Sequence, residues 1–345
     1  MKLRGKGQGA RVKSRRKIYY FFLVFGLWST VYGLSGCGVT YPKEKFKESI
    51  IRVCKREYKL DVKVATSGNT VAIYVPLENL IDFTFSITKS ASEKINDVIL
   101  TVSRVTLSTD AKYEFYCVIA HDVRIPEIQI VIIKSVDDVK RFLLNDISRG
   151  EYAKRMIVDI RLSPQAQKER AIKEVFDKMS LDKKWQEDVM NDFFRSEPTG
   201  LGDIGYWNGH FYIKNITMGE FLAEQIASRI KNEFRDDKSL QEAFLVKSSK
   251  CAYVSKEPRR SFKLDLAVEN RFYGRPQDGN APKVIMDTAV KVASEVLHNY
   301  RFKDYEYVDI KTTKDRGGVK LSRLQIEAYK AKKKGKIEDF IDLGY

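Results

Sequence analysis

Histidine, cysteine and proline are scarce in this chain, and each shortage excludes something. The three histidines, His121, His210 and His298, lie far apart, and no HExxH or CxxC spacing occurs. No metal site is recognisable from such a set, and nothing calls for a cofactor. Eight prolines and scattered glycines exclude collagen-like and low-complexity linker composition. A GxSxG nucleophile elbow and a GxxxxGK[ST] phosphate loop are both absent. Two SxxK spacings occur, Ser86 to Lys89 and Ser228 to Lys231, without the SDN or KTG companions that would make them a serine–lysine site. Acidic residues are missing altogether from positions 1 to 36.

That last absence explains much of the net charge of +16. Eight basic residues, from Lys2 to Lys17, sit in the acid-free leader. The rest of the chain carries 54 basic against 46 acidic residues, a net of +8 that is spread rather than concentrated, and it gives no nucleic-acid signature. Its one dense run, Lys330 to Lys336, is read as a solvated helix end, with anionic lipid as a lesser partner.

Behind the basic leader lies the apolar run Ile18 to Leu34. Positive charge followed by an apolar segment is the physical requirement of export, because the charges stay on the cytoplasmic side while the segment enters the bilayer. At 17 residues, and interrupted by Gly26, Ser29, Thr30 and Gly33, the run is short for a spanning helix of about 20 residues. It ends in Leu34-Ser35-Gly36-Cys37, which resembles the lipobox of bacterial lipoproteins. The resemblance covers residues 1 to 38. It implies cleavage between Gly36 and Cys37, a diacylglyceryl group on the Cys37 thiol, and acylation of the new amine in many bacteria. Two or three chains, at about 0.8 kcal/mol per buried methylene, give a stable anchor where one is marginal. Gly38, in place of an aspartate, implies the outer membrane, facing the periplasm, over the inner one. Ser14-Arg15-Arg16 also resembles a twin-arginine signal, and Lys17 to Tyr20 departs from that pattern.

Past a tether at 37–42, helical spacing of Phe46, Ile50, Val53, Cys54 and Tyr58 predicts a helix. Asp61 to Thr66, the turn Ser67-Gly68-Asn69 and Thr70 to Val75 predict a hairpin. Ser90 and Glu93 form a capping-box pattern ahead of a helix burying Ala91, Ile95, Val98, Val102 and Val105. Strands follow at Tyr113 to Ala120 and Ile128 to Ile133, then a helix started by Ser135 and Asp138. The order recurs from Thr217 and Glu220, a second capping box, through strands at Ala243 to Lys247 and Ser261 to Glu269. A helix from Pro282, a strand at Tyr305 to Ile310, a turn at Asp315 to Gly318 and a last helix capped by Ser322 and Gln325 complete it.

The expected fold class is therefore α+β: two similar α-β-β-α-β-β-α units joined by a helical connector. The expected organisation is a signal peptide at 1–36, a lipidated tether at 37–42, a first α+β domain at 43–162, a connector with an aromatic hairpin at 163–216, and a second α+β domain with a basic C-terminal helix at 217–345. Connector helices are read over Gln165 to Met179 and Leu181 to Phe194. Asn208-Gly209 between Tyr206-Trp207 and Phe211-Tyr212 predicts a two-residue type I′ hairpin. Its four aromatics are a candidate binding surface, weighed against covering a core edge. Cys54 and Cys117 fall on apolar faces and read as buried thiols, and spacing does not decide whether any two of Cys54, Cys117 and Cys251 pair. The function this supports is a membrane-anchored envelope lipoprotein that binds, scaffolds or assembles other envelope proteins, with peptidoglycan or anionic lipid as lesser partners. The competing reading is a lipid-tethered hydrolase built on carboxylates or on His121-Asp122.

Overall fold

The computed structural model describes residues 41–82, 86–163, 201–207, 209–255, 260–271, 281–312 and 318–331. The leader with Gly36 and Cys37, the connector helices read over 165–194, Asn208, the turn at 315–317 and the basic run beyond Ala331 lie outside these residues. Among the described residues, no helix is long and apolar enough to cross a membrane.

The fold is α+β. Its first sheet has the order β1-β2-β3-β4-β5, formed by Lys63–Ser67, Thr70–Leu77, Phe115–Asp122, Ile125–Ser135 and Ile157–Leu162. Neighbours are antiparallel except β2 and β3, which run parallel with Thr70 opposite Phe115 and Leu77 opposite Asp122. A parallel pair needs a long crossover, and α2, Lys89–Leu107, supplies it. Together with α1, Phe46–Tyr58, this helix covers one face of the sheet. Ala91, Ile95, Val98, Val102 and Val105 are all buried there against Val71, Ile73, Val118 and Ile130, as their spacing predicted.

Two starts differ from expectation. Ser90 and Glu93 do not cap α2; Thr88 does, its hydroxyl accepting from the Ala91 backbone N–H, so the helix begins ahead of the predicted box. Ser135 is the N-cap residue of α3, Val136–Leu143, but its side chain takes no cap hydrogen bond. Asp138 turns to distant partners instead. Missed by the pattern reading were the short helix α4, Arg149–Lys154, and the edge strand β5.

The second half begins with α5, Met218–Asp236, whose predicted capping box forms in full between Thr217 and Glu220. After the short α6, Lys238–Ala243, the second sheet runs β8-β9-β10-β11 from edge to edge, formed by Phe244–Val254, Ser261–Asn270, Tyr307–Thr312 and Gly318–Ser322. Strands β9 and β10 are parallel, joined by α7, Ala281–Asn299. The last helix, α8, Arg323–Ala331, starts at Ser322 and Gln325, which exchange both hydrogen bonds of the predicted box.

Helix α5 lies between the two sheets. Phe221 packs on Phe115 of β3 with ring centroids 5.1 Å apart, and Gly219 lets the Tyr253 ring of β8 approach so closely that a Cβ would overlap it. One apolar cluster consequently runs from Ala72, Phe115, Cys117 and Ile133 through Phe221, Ile226 and Ile230 to Phe262, Leu264, Val308 and Ile310. The halves therefore share a core, whereas the face under α1 and α2 is a separate cluster. At about 1.5–3 kcal/mol for each large apolar side chain buried, this shared layer is what joins the two halves.

Candidate functional site

Two polar constellations lie where the halves meet. The first is built around the aromatic hairpin, β6 at Gly205–Trp207 and β7 at His210–Tyr212, in the register Trp207 opposite His210 that a two-residue turn requires. Gly209 takes φ 85°, a conformation glycine adopts without a Cβ clash. The hairpin is held by Gln129 of β4, whose side-chain amide acts like an added strand residue: its carbonyl accepts from the Tyr206 N–H at 3.1 Å and its NH2 donates to the Tyr206 carbonyl. Gln129 is 1% exposed, so both of its polar ends are used within the protein.

From there an aromatic stack crosses the sheet. Tyr206 stacks on Tyr74 at 3.7 Å between centroids, and Tyr74 stacks on His121 at 4.9 Å, its hydroxyl 3.1 Å from His121 Nε2. Lys63 donates to the Tyr206 hydroxyl at 2.6 Å, and Phe211 meets the Tyr206 ring edge-on. Tyr206 is thus buried; Trp207, Phe211 and Tyr212 are half-buried. Burial pushes the Tyr74 hydroxyl up to about 12, with Tyr206 adding to the effect, and burial pulls the His121 imidazole down against the weaker pull of Asp122. Among the described residues, His121 Nδ1 and Trp207 Nε1 are buried with no hydrogen-bond partner.

His121 and Asp122 do not form a dyad. Consecutive strand residues point to opposite faces, and here His121 stacks on Tyr74 while Asp122 accepts from the Leu80 N–H at 2.8 Å and from the Arg124 guanidinium. The Arg124 hydrogen bonds hold the Asp122 carboxyl at about 2, so it is a fixed acceptor and not a base near neutrality. In the SxxK spacings, Thr88 rather than Ser86 begins the helix, and Lys231 is exposed on α5.

The second constellation centres on Arg155, just past α4 and 3% exposed. Its guanidinium donates to Asp138 at 2.7 Å and to Glu151 at 2.8 Å, reaches the Asn299 carbonyl at the end of α7, and lies 4.5 Å over the Tyr300 ring. Tyr300 closes the circuit by donating to the other Asp138 oxygen at 2.6 Å. Gln225 of α5 donates to the Arg155 carbonyl at 2.8 Å. Burial pushes the Asp138 carboxyl up, opposed by Tyr300 and then Arg155. Nearby, Lys134 of β4 is buried with its ammonium 3.5 Å over the Tyr152 ring, and desolvation lowers it to about 8 despite the attraction of Asp138. This is a clasp: α3 and α4 hold α5 and the end of α7. The sequence carried no signal for it, because its members lie up to 162 residues apart.

Cys54, Cys117 and Cys251 are free thiols, Cys54 and Cys117 fully buried. Among the described residues no group of three or more His, Cys, Asp or Glu side chains is placed to hold a metal. Comparison with protein-family models, with curated proteins and with solved structures found no match to this chain.

Proposed function

We propose that this chain is a lipid-anchored bacterial envelope lipoprotein that acts as a binding, scaffolding or assembly component. Its two halves are structural duplicates, α1-β1-β2-α2-β3-β4-α3 and α5-β8-β9-α7-β10-β11-α8. Supporting the duplication, each half joins two antiparallel hairpins through a central parallel pair, with a 19-residue crossover helix. Supporting the anchor are the acid-free leader, the apolar run and the sequence ending in Cys37.

One observation carries the binding role. Among the described residues, the first sheet is covered on both faces, by its own helices and by α5, whereas the second sheet is covered on one. Its outward face presents Lys263, Asp265, Ala267 and Glu269 of β9 beside Asp309 and Lys311 of β10. Where the first half stacks a neighbouring helix, the second ends in a polar, mixed-charge surface, as the last unit of a stack does. Such a surface suits a protein partner held by complementary charge. A hydrolase on His121 and Asp122 would need both groups on one face, and they are on opposite faces.

Intact-mass measurement of the wild type and Cys37→Ala tests the anchor. Loss of residues 1–36 with added acyl mass in the wild type alone is expected, and an unprocessed wild type ends the lipoprotein reading. A photo-cross-linking residue at position 267, compared with one at exposed Leu100 on α2, tests the surface. Discrete protein adducts from 267 only are expected; identical or absent adducts rule this face out.

A further inference from the structure

The corner after α7 holds a half-open cavity of about 460 Å³, in the size range of small-molecule sites. Leu297 of α7, Phe302 and Ile326 of α8 give it apolar walls, and His298, Arg301 and Lys303 stand around it. All three of these basic side chains are exposed, and among the described residues Arg301 and Lys303 make no ion pair. Among the described residues that line the cavity, the one carboxylate is Glu327, 3.8 Å from Arg323. Tyr305 is 4% exposed, and its ring lies in this wall, 6.3 Å from that of Phe302. Arg301 also helps to lower the Asp146 carboxyl, behind the larger effect of Arg141, but neither Arg301 nor Lys303 is held in an ion pair among the described residues, and an apolar pocket edged by such cations suits a ligand with the opposite arrangement, an anionic group on a hydrocarbon body.

Arg301 adds a second observation. It holds φ 51°, the left-handed conformation that a helix end ordinarily assigns to glycine, while Phe302 N–H returns to the Leu297 carbonyl at 3.0 Å. An arginine there carries backbone strain that glycine would remove. Lys59 ends α1 in the same conformation, so strain alone assigns no role; at Arg301 the strained residue also lines a cavity.

We propose that this cavity binds an apolar carboxylate, its acid group between Arg301 and Lys303 and its hydrocarbon against Leu297, Phe302 and Ile326. The site is separate from the outward face of the second sheet and stands or falls independently of the anchoring reading. The test is equilibrium dialysis of the full chain in nonionic detergent against 3-phenylpropionate, with 3-phenylpropanol as the uncharged comparison and protein-free detergent as blank. Saturable one-to-one uptake of the acid is expected, at least tenfold tighter than the alcohol. Arg301→Gly with Lys303→Gln should weaken the acid at least tenfold and leave the alcohol unchanged. Since glycine suits the corner, Arg301→Gly alone should keep or raise the thermal midpoint while weakening the acid, and Arg301→Lys should retain binding. No saturable uptake, equal uptake of acid and alcohol, or undiminished binding by the double variant would overturn the proposal.

Discussion

Replacing Arg155 by methionine isolates the clasp between the halves. Methionine keeps much of the side chain's length and lets it pack on Tyr300, but removes the charge that faces Asp138 and Glu151. Asp138 is 1% exposed and would keep the Tyr300 hydroxyl as its remaining strong donor. Removing one partner of a buried ion pair costs about 3–5 kcal/mol, because the other charge stays desolvated. Against a domain stability of about 5–15 kcal/mol this is a large fraction. Burial already raises the Asp138 carboxyl, and loss of Arg155 raises it further, so the folded variant holds its proton more tightly than the unfolded chain does. Its stability is greatest below the ordinary carboxylate range and falls as pH rises through the raised value. Urea unfolding of the full chain in detergent at pH 4 and pH 7 reads both quantities. A loss near 3 kcal/mol or more at pH 7 that shrinks at pH 4 is expected, with Asp138→Asn added to Arg155→Met recovering part of it. A loss under about 1 kcal/mol with a wild-type pH profile would show that the clasp is not desolvated, and the argument from burial would fail.

Gly219→Ala places a methyl group against the Tyr253 ring, which Phe262 and Phe302 hold in place. Overpacking of about 1–3 kcal/mol should exceed the roughly 1 kcal/mol that alanine gains in a helix, so a rise in thermal midpoint would refute the close approach of α5 to the second sheet. Burial pushes the Cys117 thiol to about 12 and Cys54 to about 11. Neither should be alkylated by iodoacetamide in the folded chain at pH 8, and both should react in urea; labelling of folded Cys117 at the rate of a free thiol contradicts its burial. Cross-strand Gln129→Leu leaves the Tyr206 N–H and carbonyl without their partner, so amide exchange at Tyr206 should rise more than tenfold while β2 and β3 stay protected.

What the sequence made legible was whatever depends on near neighbours or on one buried face. The alternation of Phe262, Leu264, Leu266 and Val268 reads correctly because, among the described residues, only one side of β9 is covered; those four residues are buried, and Ser261 at the start of the strand is buried with them. In β3 every position is buried, since helices lie on both sides, and the run Phe115 to Ala120 reads as apolar without saying what covers it. The boxes at Thr217 and Ser322 formed because nothing nearer competed for their backbone donors. Ser90 lost to Thr88 two residues earlier. Asp138 was read as a helix-start acid, and its partners Arg155 and Tyr300 lie 17 and 162 residues on, a pairing that only tertiary assembly creates. Gln129 was legible as nothing more than a polar residue in a strand, for the same reason.

His121 is where those two kinds of reading meet, and it yields a prediction with two separable windows. Its burial lowers the imidazole below the ordinary 6.5, whereas Asp122, one residue on, is held at about 2 from an ordinary 3.8 by Arg124. Around His121 stand Tyr74 on β2 and Asp122 on its own strand, with Lys63 of β1 and Tyr206 of β6 behind Tyr74. The folded chain therefore binds the His121 proton less readily than the unfolded chain, and its contribution is complete above about 6.5 and declines as pH falls through the lowered value. The Asp122 contribution is complete above 3.8 and declines only towards pH 2. His121→Phe keeps a ring against Tyr74 and removes the titration, so it should flatten the part of the stability profile that declines as pH falls below about 6.5 and leave the loss below the ordinary carboxylate value of 3.8 in place. Thermal midpoints across that range decide the matter. If His121→Phe retains the wild-type slope just below pH 6.5, the imidazole is not the group that protonates there, and the argument from its burial beside Tyr74 fails.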